Sequence, residues 1–138
     1  MSKIPPAVRS ALLGLLLLTL PAAARAHQCV DVEILESPDV AHPGQLIHAT
    51  GWIKNCGDPV RGFRTGWVLV DQMGDRIQLA GGPVQLEPGE AESETVRLLL
   101  PDRLRPGIYQ LVLVAQAPTG FTDSYGVRLA IRPARGGQ

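Results

Sequence analysis

The sequence has 138 residues, 13 basic and 13 acidic side chains, a formal net charge of zero, 15 glycines and 12 prolines. That length holds one domain with a real core, and frequent glycine and proline suit short strands and turns better than long helices. The sequence has no basic cluster, which argues against a nucleic-acid partner or an anionic membrane face.

The N-terminus reads as a targeting segment. Lys3 and Arg9 precede an apolar run from Ala11 to Leu20, Pro21 breaks the run, and Ala24-Arg25-Ala26 offers small residues for cleavage. The run is about half of the ~20 residues a membrane-spanning helix needs. A signal peptide over 1–26 is therefore expected, with His27 as the first mature residue, one domain over 27–138 and a periplasmic or secreted location. No membrane insertion is expected after cleavage. Lipidation of Cys29 is excluded because Gln28 stands where a small residue is required, and no twin-arginine pair is present. Cleavage removes Lys3, Arg9 and Arg25, so 13 basic residues become 13 − 3 = 10 against 13 acidic, a net charge of −3.

From Cys29 to Glu36, Val30, Val32 and Ile34 alternate with Asp31 and Glu33, the period of a half-buried strand. Ser37-Pro38-Asp39 and His42-Pro43-Gly44 make the turn, and a second strand over 45–54 carries Ile47, Ala49, Gly51 and Ile53 on one face. If these two strands pair as antiparallel neighbours with Val32 facing Ile53, Cys29 falls opposite Cys56. In an oxidising compartment such a pair is more often a disulfide than a metal or redox site.

A loop from Asn55 to Gly62 leads into a strand over 64–71 bearing Trp67. A turn at 72–75 returns the chain into 76–80, Gly81-Gly82-Pro83 is expected to break that strand, and 84–86 forms a short separate piece. Glu92 to Leu100 is a strand with Val96, Leu98 and Leu100 on one face; the acidic residues Glu87, Glu90, Glu92 and Glu94 read as a solvated face. Leu104 to Leu113 is a Pro-Gly turn feeding a strand with a tyrosine near its start, and that strand runs to about Gln116. A turn at Ala117-Pro118-Thr119-Gly120 starts the last strand, in which Tyr125, Val127, Leu129 and Ile131 alternate with polar or small residues. Seven or eight short strands with no helical period in the mature chain describe an all-β, antiparallel sandwich.

The stretch Leu104-x-Pro106-Gly107-x-Tyr109-x-Leu111 resembles the turn and strand F of immunoglobulin-like and fibronectin-like domains. Leu86-Glu87-Pro88-Gly89-Glu90 looks like the turn entering strand E, and Trp67 is similar in position to the buried core tryptophan. The resemblance covers most of 29–132 and is closest to CARDB-like and BsuPI-like bacterial domains. It implies structural roles for Trp67, Gly107, Tyr109 and Leu111. Tyr109 is expected to hydrogen-bond back to the turn before it. The antibody-type bridge between strands B and F is absent.

No catalytic set is legible and no cofactor is implied. The histidines at 27, 42 and 48 are too far apart along the first strands to share one metal, which leaves His27, as a mature N-terminal residue, a weak copper candidate. An immunoglobulin-like arrangement gathers the strand-A start, the disulfide and the loops 55–64 and 117–124 at one end, so Asn55, Asp58, Phe63 and Phe121 are expected as contacts to a protein partner. The expected function is that of an exported, non-enzymatic binding or assembly module acting through its loop end or a sheet edge. The alternative is a periplasmic copper-binding protein using His27.

Overall fold

The computed structural model describes residues 29–57, 62–118 and 120–134; the expected leader, His27 and Asp58 lie outside them. Eight strands follow in order: β1 (Val30–Glu36), β2 (Val40–Ala41), β3 (Leu46–Asn55), β4 (Gly62–Val70), β5 (Arg76–Gln85), β6 (Ala91–Leu99), β7 (Gly107–Gln116) and β8 (Thr122–Ile131). They build two sheets, one ordered β1-β3-β6 and the other β2-β8-β7-β4-β5. Every pairing is antiparallel except that of β2 with β8. The described residues contain no helix, and hence none long and apolar enough to cross a membrane.

The expected register of the first two long strands is present: Val32 stands opposite Ile53, and Cys29 and Cys56 are joined with Cα atoms 4.9 Å apart. The pairing follows from burial. Val30, Val32 and Ile34 on β1 and Ile47, Ala49 and Ile53 on β3 all face the core, and a slip of β1 by one residue would turn its three to solvent.

Two elements depart from the sequence reading. Gly81-Gly82-Pro83 does not break the chain; β5 runs through it, with Pro83 opposite Arg64. β5 is an edge strand, and there a residue without an N–H costs no ladder bond. The one register shift of the β4–β5 pair lies earlier, at Leu79, which is left unpaired opposite Trp67 and Val68. In addition, Val40 and Ala41, within a stretch expected to be turn, form β2 alongside Ala130 and Ile131 of β8. A bulge at Leu35 ends the regular pairing of β1, and the chain then crosses from the three-stranded sheet to the five-stranded one.

The core lies between the sheets. Leu69, Leu111 and Leu129 of the larger sheet face Leu98 of the smaller, all fully buried. Trp67 is also buried and lies against β3 at Gly51, where an added Cβ would sit 2.8 Å from Trp67 Cζ2 and 2.8 Å from Leu113 Cδ2. Glycine there is what lets the indole approach the opposite sheet. The apolar run 111–115 splits by parity: Leu111, Leu113 and Ala115 are buried, while Val112 and Val114 are half-buried on the outer face. Tyr109 Oη donates a 2.7 Å hydrogen bond to the Arg105 carbonyl, closing the turn before β7. Gly107 begins that strand at φ +156°.

Candidate functional site

Among its described residues, the loop end presents fewer side chains than expected. The amides of Cys56 and Gly57 both donate to the Cys29 carbonyl, at 3.2 Å each, and extend the β1–β3 pairing through the disulfide. Across the sandwich, the Val32 amide donates to Asp123 Oδ2 at 3.1 Å, so the start of β8 meets the start of β1.

Two of the expected contact residues are not on the surface. Asn55 is 1% exposed. Its Nδ2 donates to the Leu86 carbonyl at 3.0 Å and its Oδ1 accepts from the Gly57 amide at 3.1 Å. Its backbone is bonded to Glu90 and Gly89. It is a clamp between the end of β3 and the turn entering β6, because a buried amide needs every one of these partners. Phe63 is 2% exposed and fills the core, its position on β4 matching the inward parity of Trp67 and Leu69. Phe121 is the one expected aromatic left at this end, 42% exposed.

The histidines do not assemble. The His42 ring Nδ1 lies 3.2 Å from the Arg132 carbonyl and 3.0 Å from the Pro133 carbonyl, which ties the segment after β8 to the turn before β3. His48 is exposed on β3, paired with Arg97. Among the described residues, the ligand-type side chains of Cys29, Asp31 and Cys56 lie close enough to share a metal, but both sulfurs are spent in the disulfide.

The open surface is a strand edge. β6 closes one side of the smaller sheet and pairs with β3 without interruption from Leu46 opposite Leu99 to Lys54 opposite Ala91. Only Leu98 on it is buried and Val96 half-buried. Glu92 lies opposite Ile53 and Glu94 opposite Gly51, so both glutamates project from the core-facing side of the strand. Between β6 and the neighbouring edge β5 the sandwich is parted by a narrow cleft walled by Trp67, Leu113, Val84 and Thr65, with Glu92 and Glu94 at its lip. Sequence reasoning placed these glutamates on a solvated face together with Glu87 and Glu90. The structure separates them, since Glu90 accepts a 2.7 Å bond from the Glu87 amide within the turn. Parity was the available signal: 92 and 94 share the even positions of Val96, Leu98 and Leu100.

No protein-family model matches the sequence, and no curated protein matches it. Solved structures do. The CARDB domain of the PF1109 protein from Pyrococcus furiosus, determined in complex with di-metal ions, is 18% identical; the match covers 78% of this chain and 90% of that one at a TM-score of 0.56. The fold is immunoglobulin-like. A β-glucosidase from Listeria innocua matches over 75% of this chain at 17% identity and a TM-score of 0.54. One from Erythrobacter marinus matches over 75% at 14% identity and the same TM-score. This chain spans only 16% and 15% of those two enzymes. At such identities the likeness is one of fold, and the fold does not carry an activity with it.

Proposed function

We propose that this chain is an exported, non-enzymatic module that contacts a protein partner, and that a sheet edge rather than the loop end makes the contact. The observation that carries this reading is the burial of Asn55 and Phe63 beside an open, regular β6. With both residues committed to the interior, Phe121 is what remains of the expected contacts among the described residues of the loop end. The strand edge offers unpaired backbone groups over nine residues, the means by which many sandwich domains add a partner strand. The disulfide supports an oxidising location outside the cytoplasm.

Site-specific photo-crosslinking in the producing cells tests this. A benzoylphenylalanine residue replaces Thr95 on β6, Phe121 at the loop end or Met73, which is 86% exposed in the β4–β5 turn. A discrete protein adduct from position 95 and none from 73 is the expected result. An adduct from 121 alone moves the contact to the loop end, and no adduct above the level at 73 overturns the reading.

A further inference from the structure

The four strand edges of this sandwich are not equivalent. β2 is two residues long. β1 is interrupted by the bulge at Leu35 and has its Val32 amide covered by Asp123. β5 carries Pro83 and a bulge of its own. β6 alone is long and unbulged, and it contains neither proline nor glycine. Short length, bulges, proline, covering groups and inward-pointing charges are the usual means of blunting an edge; of these β6 has only the last, Glu92 and Glu94 on its core-facing side.

From this we infer that the β6 edge accepts an extended peptide segment carrying two basic residues at alternate positions, added as a fourth strand to the β1-β3-β6 sheet. The inference rests on the proposed binding role and names the edge and the chemistry of its partner. A strand laid beside β6 places its side chains about 5 Å from those of β6 on the same face. The positions opposite Glu94 and Glu92 are two residues apart and lie over the cleft beside Trp67. Among the described residues neither carboxylate has a hydrogen-bonding or ionic partner. An apolar strand arriving there would bury two unpaired carboxylates, at a cost well above what backbone pairing returns. A second β6 would double the negative charge. Lysine or arginine opposite each glutamate converts the same obstacle into two ion pairs. The glutamates thus reject most strands and admit one class, specificity achieved through repulsion of the wrong partner. The next core-facing position, Val96, is half-buried and favours an apolar residue opposite it, so an antiparallel partner reads apolar-x-basic-x-basic.

The probe is a labelled peptide, acetyl-Thr-Val-Thr-Lys-Thr-Lys-Thr-amide, titrated by fluorescence anisotropy against the mature oxidised protein. Its controls are the same peptide with glutamate for both lysines and one with the composition scrambled. The expected result is saturable binding of the lysine peptide at least ten-fold tighter than either control, with amide NMR shifts along 91–99. It is weakened at least ten-fold in E92Q/E94Q and reversed toward the glutamate peptide in E92K/E94K. Both side chains are exposed, and a thermal midpoint close to that of the parent protein shows that the variants are folded. Absent saturable binding, binding unchanged in E92Q/E94Q, shifts confined to another surface or a concentration-dependent dimer joined at β6 would each overturn the inference. Loss of this peptide binding together with a photo-adduct from position 95 removes the basic-strand assignment and leaves the binding role intact. The absence of any adduct removes the role itself.

Discussion

The carboxylate of Asp123 accepts a hydrogen bond from the Val32 amide across the gap between the two sheets, over 91 residues of sequence. β1 is an edge strand, and half of its backbone groups have no neighbour within the sheet. Asp123, on the inward-facing parity of β8, reaches over and satisfies one of them. The opposite side, between β5 and β6, carries the cleft beside Trp67.

Asp123→Ala removes that acceptor. A hydrogen bond to a charged group contributes about 1.5–3 kcal/mol when shielded, and Asp123 is half-exposed, so a loss near ~1 kcal/mol is expected. Urea denaturation reads the stability, and amide exchange reads the site. Val32 should lose protection while Ile53, opposite it within the sheet, keeps most of its own.

Gly51→Ala forces a Cβ to within 2.8 Å of both Trp67 and Leu113. Overpacking of this sort costs about 1–3 kcal/mol. The penalty should shrink in a Trp67→Phe background, where the six-membered part of the indole is gone. A double-mutant cycle measured by thermal or urea unfolding checks this, and additive penalties would show that the close approach is not what constrains position 51.

Asn55→Ala leaves the Leu86 carbonyl and the Gly57 amide without their side-chain partner in the interior. Orphaning buried polar groups costs about 1–3 kcal/mol each, so the variant should lose roughly 2 kcal/mol or more. Asn55→Asp should not rescue it, because a carboxylate cannot donate to Leu86. Equilibrium unfolding of both variants settles the comparison.

Reduction of Cys29–Cys56, or its removal as C29A/C56A, should lower stability by about 2–4 kcal/mol, largely by freeing the unfolded chain. The bridge spans 27 residues of sequence and ties two of the three strands of the smaller sheet. Alkylation followed by mass measurement should label two thiols only after reduction. Labelling without reductant would mean that the bridge does not form.

Much of the fold was legible because its signals are local and periodic. Alternation marked β1, β3, β6 and β8. The register of β1 on β3 followed from keeping both apolar faces inward, and that register alone brought the cysteines together. Tyr109 was recognisable from a Pro-Gly turn and a tyrosine two residues on, and its bond is made to that turn. Where the reading failed, the deciding term was tertiary. Pro83 reads as a breaker unless its strand is known to lie at an edge. Asn55 and Phe63 stood in a polar, glycine-rich neighbourhood that reads as surface, yet the converging turn at Leu86–Glu90 covers one and the opposite sheet covers the other.

By itself, the sequence determined which residues alternate, where the chain turns and which two cysteines can meet, because these depend on neighbours two to thirty positions apart. The tertiary structure decided which edges are left open and which polar groups are enclosed. An edge exists only once strand order is fixed, and β6 is the last strand of its sheet because β7 and β8 join the other one. The same ordering leaves Glu92 and Glu94 facing a cleft rather than solvent on all sides, a placement that depends on how far β5 stands from β6.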